Sequence, residues 1–230
     1  MTTFVNMTEL ADKLSQQGAH QELVEAINDC HYAASALGDL LTVREAVAKL
    51  IEIQDDEALN RAFGAALTTH AVVIYCRAMA KKNNARPHVD VIRDFTDSDL
   101  LLHNEILSLR DKAIAHIDRP KGQFAIVWRK EAVALLNDAE GNVYLSFPTT
   151  TAIALPTLKE ALFNLSEKAI VTATGIRDGH QKKAAEEFMK FSHPQEFQDI
   201  VRSCLTEVEE FYGVETELAE RMFHQPRHSE

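Results

Sequence analysis

Asp97-Ser98-Asp99-Leu100-Leu101-Leu102-His103-Asn104-Glu105-Ile106-Leu107-Ser108-Leu109-Arg110-Asp111-Lys112-Ala113-Ile114-Ala115-His116-Ile117-Asp118-Arg119-Pro120 is the stretch whose reading decides the fold. It reads as one helix. Thr96 and Asp99 make a capping pair, and acids crowd the first turn, where the helix dipole favours them. Pro120 cannot continue the helix and restrains Arg119, so the helix is expected to end near Ile117 or Asp118. At ~100° per residue, Leu102, Ile106, Leu107, Leu109, Ala113, Ile114 and Ile117 share one sector. Asn104, Ser108, Asp111, Lys112 and Asp118 fall opposite. His103 and Arg110 break the apolar sector, and a charge buried there is costly unless paired or used. An arginine in such a stripe ordinarily snorkels or pairs with a neighbouring carboxylate, and a histidine is ordinarily a hydrogen-bonded core residue.

Outward from this helix the chain reads as mainly α. Alanine, leucine, glutamate and lysine dominate, and 8 glycines and 6 prolines in 230 residues argue against disorder and against a turn-rich β fold. Residues 8 to 17 and 20 to 37 have helical spacing, with Gly18 and Gly38 as expected stops. A third helix is expected to start at Asp39 or Thr42. A fourth, about 56 to 81, is apolar on nearly all sides and is expected at the centre of a bundle, with Tyr75 and Arg77 as core hydrogen-bond partners. Beyond Pro120 the period changes. Residues 123 to 129, 131 to 136 and 143 to 147 alternate as strands do, which predicts a small antiparallel sheet or hairpin over about 123 to 153, with Trp128 packed under it. Pro156 opens a long helix to about 190, with Gly175 and Gly179 as weak points. A last long helix is expected from Ser192 to Gly213, and then a tail.

The net charge is −11, so bulk electrostatics will not hold nucleic acid, and any RNA contact must come from local basic patches. Lys81, Lys82 and Arg86 form one such cluster, in a polar loop just before the 97–120 stretch. Cys30, Cys76 and Cys204 are odd in number and far apart, which suggests buried thiols in a reduced compartment. No run approaches ~18 apolar residues and no signal segment is evident, so a cytoplasmic protein without a membrane span is expected. No His/Asp/Glu set has metal-ligand spacing, and there is no glycine-rich phosphate loop; neither metal nor cofactor is expected.

Arg110-Asp111-Lys112-Ala113-Ile114-Ala115-His116 resembles the HEPN motif: an arginine, a polar residue, a variable run and a histidine near a helix end. The longer string LHNEILSLRDKAIAHID resembles the second core helix of bacterial HEPN proteins of the abortive-infection type, and HAVVIYCRAMAKKNNARP resembles their first. The resemblance covers roughly residues 55 to 120. It implies a HEPN-like helical bundle over 55 to 213 carrying the β insertion, with N-terminal helices 1 to 54 packed on it and a tail from 214 to 230. It also implies a homodimer with both motifs in a shared groove, and a role in phage defence or a toxin–antitoxin system with an antitoxin protein as partner.

The chemistry fits those residue types. Metal-independent RNA cleavage needs a base for the 2′-hydroxyl, an acid for the leaving 5′-oxygen and a cation for the phosphorane. His116 suits the proton transfers and Arg110 the phosphate, with Asp111 orienting one of them. Lys112, Arg119, Lys81, Lys82 and Arg86 are the candidate substrate contacts. Arg110 and His116 are separated by ~9 Å of rise and ~120° on one helix, so a two-fold dimer would be needed to build one composite cleft. The rival expectation is a non-catalytic HEPN-like interaction protein, in which the same residues tie the bundle together and the acidic surface meets a protein partner.

Overall fold

A computed structural model describes residues 2–79, 89–111, 124, 129–131, 133–137, 143–147, 149–151, 156–191 and 194–224. Its contacts divide the chain into two units, one of residues 1–31 with 177–230 and one of residues 32–176. The divisions fall inside two long helices, α2 (Gln21–Glu52) and α5 (Pro156–Phe191).

In the 32–176 unit the core is contributed by four helices. These are the later part of α2, α3 (Glu57–Ala78), α4 (Asp97–Leu109) and the first part of α5. Leu40, Val47, Val72, Ile106, Leu162 and Leu165 are buried together. The periodicity places them there. Along α4 the buried positions are Asp99, His103, Ile106 and Leu109, one every three or four residues, while Asn104 on the opposite side is exposed. On α5, Leu158, Leu162, Leu165, Ala169 and Ala173 repeat the same spacing.

Two helix expectations are corrected here. Gly38 does not end a helix: α2 runs through it. A glycine stop requires a positive φ at that residue, and among the described glycines only Gly18 and Gly213 adopt one, each at 64°. Asp39, expected as a cap, instead lies buried and takes Arg77 of α3 on both carboxylate oxygens, at 2.6 and 3.0 Å. The fourth helix is apolar all round in composition yet not buried all round. Its later part, from Thr68 to Ala78, is the buried part, and Leu59 and Phe63 in its first turns face solvent.

The β insertion is a hairpin. Strand β2 (Arg129–Glu131) pairs with β5 (Thr149–Thr151), and β3 (Ala134–Asn137) with β4 (Val143–Ser146). Both pairs are antiparallel and keep one register, Glu131 opposite Thr149 and Ala134 opposite Ser146, so the two ladders are one ribbon interrupted in the middle. Phe124, expected on a leading strand, is a buried residue at a turn. The remainder of that strand, with Trp128, lies outside the described residues.

The other unit joins α1 (Met7–Gln16), the start of α2, the end of α5, α6 (Gln195–Arg202), α7 (Val208–Tyr212) and α8 (Thr216–His224). Leu10, Leu14, Leu23, Ile27, Phe197 and Cys204 are its core. Here the long final helix gives way. α6 stops at Arg202, and Leu205–Glu207 forms strand β6, antiparallel to β1 (Thr3–Val5) with Phe4 opposite Thr206. Gly213 caps α7 in the left-handed conformation. No helix among the described residues is long and apolar enough to cross a membrane.

Candidate functional site

Helix α4 begins as its sequence dictates. Thr96 and Asp99 form a reciprocal capping box: the Asp99 N–H donates to Thr96 Oγ1, and the Thr96 N–H donates to Asp99 Oδ2 at 2.9 Å. The Asp99 carboxylate is nearly sealed from water and receives Lys168 Nζ of α5 at 2.7 and 2.8 Å. The Lys168 hydrogen bond, opposed by burial and helped by the Thr96 donors, holds the Asp99 carboxyl at about 2. Four residues along, His103 is buried and its Nδ1 lies 3.1 Å from the hydroxyl of Tyr75 on α3. Burial, helped by the nearby Cys76 and Asp99, pushes the Tyr75 phenol well above its ordinary range, so it stays a neutral hydrogen-bonding group. The pair ties α3 to α4, with His103 only 2% exposed.

Arg110 follows at the end of α4. Its backbone is still helical, φ −59° and ψ −49°, and its N–H donates to the carbonyl oxygens of Ile106 and Leu107. The side chain leaves the apolar sector. It is 48% exposed and donates from Nη1 to Asp111 Oδ1 at 2.7 Å, with the Asp111 side chain 63% exposed. Asp111 raises the guanidinium pKa further, so the cation is permanent. The buried Cys76 of α3, whose thiol lies 3.9 Å from the Ile106 carbonyl oxygen, is pushed up to about 12 by burial, against the pull of the Arg110 charge.

Of the residues singled out for chemistry, Arg110 and Asp111 are thus brought together in an accessible pair. Lys112, His116 and Arg119, and the cluster of Lys81, Lys82 and Arg86, lie outside the described residues. The pair has the groups to bind an oxyanion: a guanidinium carries five N–H donors in a planar fork, and one of those of Arg110 donates to Asp111.

A cavity of about 580 Å³ that periodicity does not reveal adjoins the first turn of α4. Leu102, Phe124 and Leu165 give it apolar walls, and Glu160, Asn164 and Lys168 polar ones. The signal for Asp99 was its place in the capping box. Lys168 had none, because its partner stands 69 positions away in the chain. Among the described residues no group of three His, Cys, Asp or Glu side chains could hold a metal ion.

Compared with family models, with curated proteins and with solved structures, the chain matches none.

Proposed function

We propose that this chain is a metal-independent endoribonuclease of the HEPN type, working as a two-fold dimer in phage defence or a toxin–antitoxin system. The observation that carries the reading is the accessible Arg110 guanidinium, steadied by Asp111 at the end of a helix that Tyr75–His103 and Asp99–Lys168 fix in place. A rigid helix holding an exposed, permanently charged fork is what a phosphate-binding catalytic arginine requires.

In this reading His116 takes the proton from the 2′-hydroxyl, and the 2′-oxygen attacks phosphorus. Arg110 hydrogen-bonds the equatorial oxygens as charge grows on them. The P–O5′ bond breaks and the leaving oxygen receives a proton from the second copy of His116. The products are a 2′,3′-cyclic phosphate and a 5′-hydroxyl. Lys112, Arg119, Lys81, Lys82 and Arg86 supply local positive charge along the strand, which a chain of net charge −11 must concentrate near its site.

Induced expression of wild type, Arg110→Ala and His116→Ala tests the reading. Growth arrest with fragmented total RNA for wild type, absent in both variants, is the expected outcome. Equal growth and intact RNA in all three, in the presence of phage as well as without it, would overturn it. The second reading, a non-catalytic helical interaction protein, is favoured by one observation, the exposed apolar residues of the β hairpin.

A further inference from the structure

The cavity of about 580 Å³ beside the first turn of α4 has the size of a small-molecule site, a class that runs from roughly 300 to 1,000 Å³. Helical spacing builds it. Thr157, Ala161, Leu165 and Lys168 recur every three or four residues along α5, and Glu160, Asn164 and Glu167 run beside them, so one face of that helix supplies most of the lining.

The lining has two parts. Phe124 and Leu165, both sealed from solvent, join the half-buried Leu102 in an apolar surface. Beside it stand polar groups with bonding capacity to spare. Among the described residues nothing bonds to the Glu160 carboxylate, the Asn164 amide or the Thr157 hydroxyl. Glu167 Oε1 has no hydrogen bond either, and Arg44 Nη1 stands 3.8 Å from it, too far to donate.

Charge selects the occupant. Three carboxylates, Asp99, Glu160 and Glu167, share the cavity with one ammonium, Lys168. Lys168 is already committed to Asp99, at 2.7 and 2.8 Å. Glu160 and Glu167 are left over. An anion entering the cavity would meet both of them, and like charges brought together repel. A metal ion does not suit the site. Among the described residues no three His, Cys, Asp or Glu side chains could hold one, and a hard cation gains nothing from Phe124, Leu102 and Leu165.

We infer that this cavity binds a small organic cation, an ammonium group carried on an apolar ring or chain. The apolar body lies against Phe124, Leu102 and Leu165. The ammonium has three N–H donors and no acceptor, and it meets Glu160, Glu167 and the Asn164 side-chain oxygen, which are the acceptors left without partners. Bound there, the ligand touches α4 and α5 together and stabilises the folded chain by mass action. The inference does not rest on the ribonuclease reading, because no residue of the cavity is among those assigned to cleavage.

Isothermal titration calorimetry of the full chain at low ionic strength tests it with three probes of one shape: tryptamine, a cation; tryptophol, its neutral alcohol; and indole-3-propionate, an anion. Wild type is compared with Glu160→Gln, Glu167→Gln, the cavity-filling Ala161→Leu, and Glu210→Gln at an exposed position in the other unit. Circular dichroism checks each fold. Wild type should take up one tryptamine, bind tryptophol at least about tenfold more weakly, and leave indole-3-propionate unbound. Glu160→Gln and Glu167→Gln should each weaken tryptamine about tenfold, Ala161→Leu should lose it, and Glu210→Gln should match wild type. Added salt should weaken tryptamine and leave tryptophol unchanged. The inference is overturned by a wild type that shows no saturable tryptamine binding into the millimolar range. Tryptophol bound as tightly as tryptamine, or tryptamine binding that neither glutamine variant reduces, would overturn it equally.

Discussion

Asp99→Asn should remove much of the anchoring at the start of the site helix, and should do so in a pH-dependent way. The amide keeps an oxygen for Thr96 but loses the charge that meets Lys168 Nζ at 2.7 Å and the favourable end of the helix dipole. The folded carboxyl is held at about 2 from an ordinary 3.8, first by Lys168 and then by the Thr96 donors. That difference corresponds to roughly 2 kcal/mol, which screening reduces to about 1–2 kcal/mol because the Lys168 side chain is half-exposed. The sign follows from the depression. Above the unfolded value the charged form is favoured in the folded state and the whole contribution is present. It is lost as pH falls from about 4 through about 2, where the folded group itself protonates. Urea unfolding followed by circular dichroism, run at neutral pH and at steps down to the lowest pH at which both proteins fold, reads the gap between wild type and Asp99→Asn. The gap should be about 1–2 kcal/mol at neutral pH and narrow steadily below about pH 4. Equal midpoints at neutral pH, or a gap that stays constant into acid, would refute the argument.

Tyr75→Phe removes the buried hydroxyl facing His103 Nδ1 and should cost about 1–2 kcal/mol, seen as a lower thermal midpoint, whereas Phe63→Tyr at an exposed position should cost almost nothing. Arg77→Ala leaves the buried Asp39 carboxylate without its bidentate cation and should cost about 1–3 kcal/mol in the same measurement; Arg77→Lys should recover only part, since an ammonium cannot match both oxygens. Cys76, with its thiol pushed up to about 12 by burial, should resist iodoacetamide in the folded protein at neutral pH and react at once in urea.

What was legible in the sequence was local. The Thr96–Asp99 capping box spans three residues and is fully written in the chain, and the three-to-four spacing of Leu158, Leu162 and Leu165 or of His103, Ile106 and Leu109 needs no partner to be read. The hairpin was legible from alternation. What failed depended on distant residues. Gly38 looks like a stop until the bond between Asp39 and Arg77, 38 positions apart, is known. The final helix looks continuous until Thr3–Val5 is seen to claim Leu205–Glu207 as its strand partner, a pairing that no window of sequence contains. Periodicity also cannot say how much of an apolar helix is covered, which is why Leu59 and Phe63 were expected inside. Of the site, the Arg110–Asp111 adjacency could be read, whereas the Lys168 anchor of its helix could not.

The central claim, that Arg110 serves RNA cleavage, is tested most directly with purified protein and end-labelled RNA in excess EDTA. The account predicts fragments ending in 2′,3′-cyclic phosphate and 5′-hydroxyl for wild type, and at least a ~100-fold slower reaction for Arg110→Ala and His116→Ala of unchanged fold. Cleavage at equal rates by all three proteins, or none by a correctly folded wild-type dimer, would contradict it.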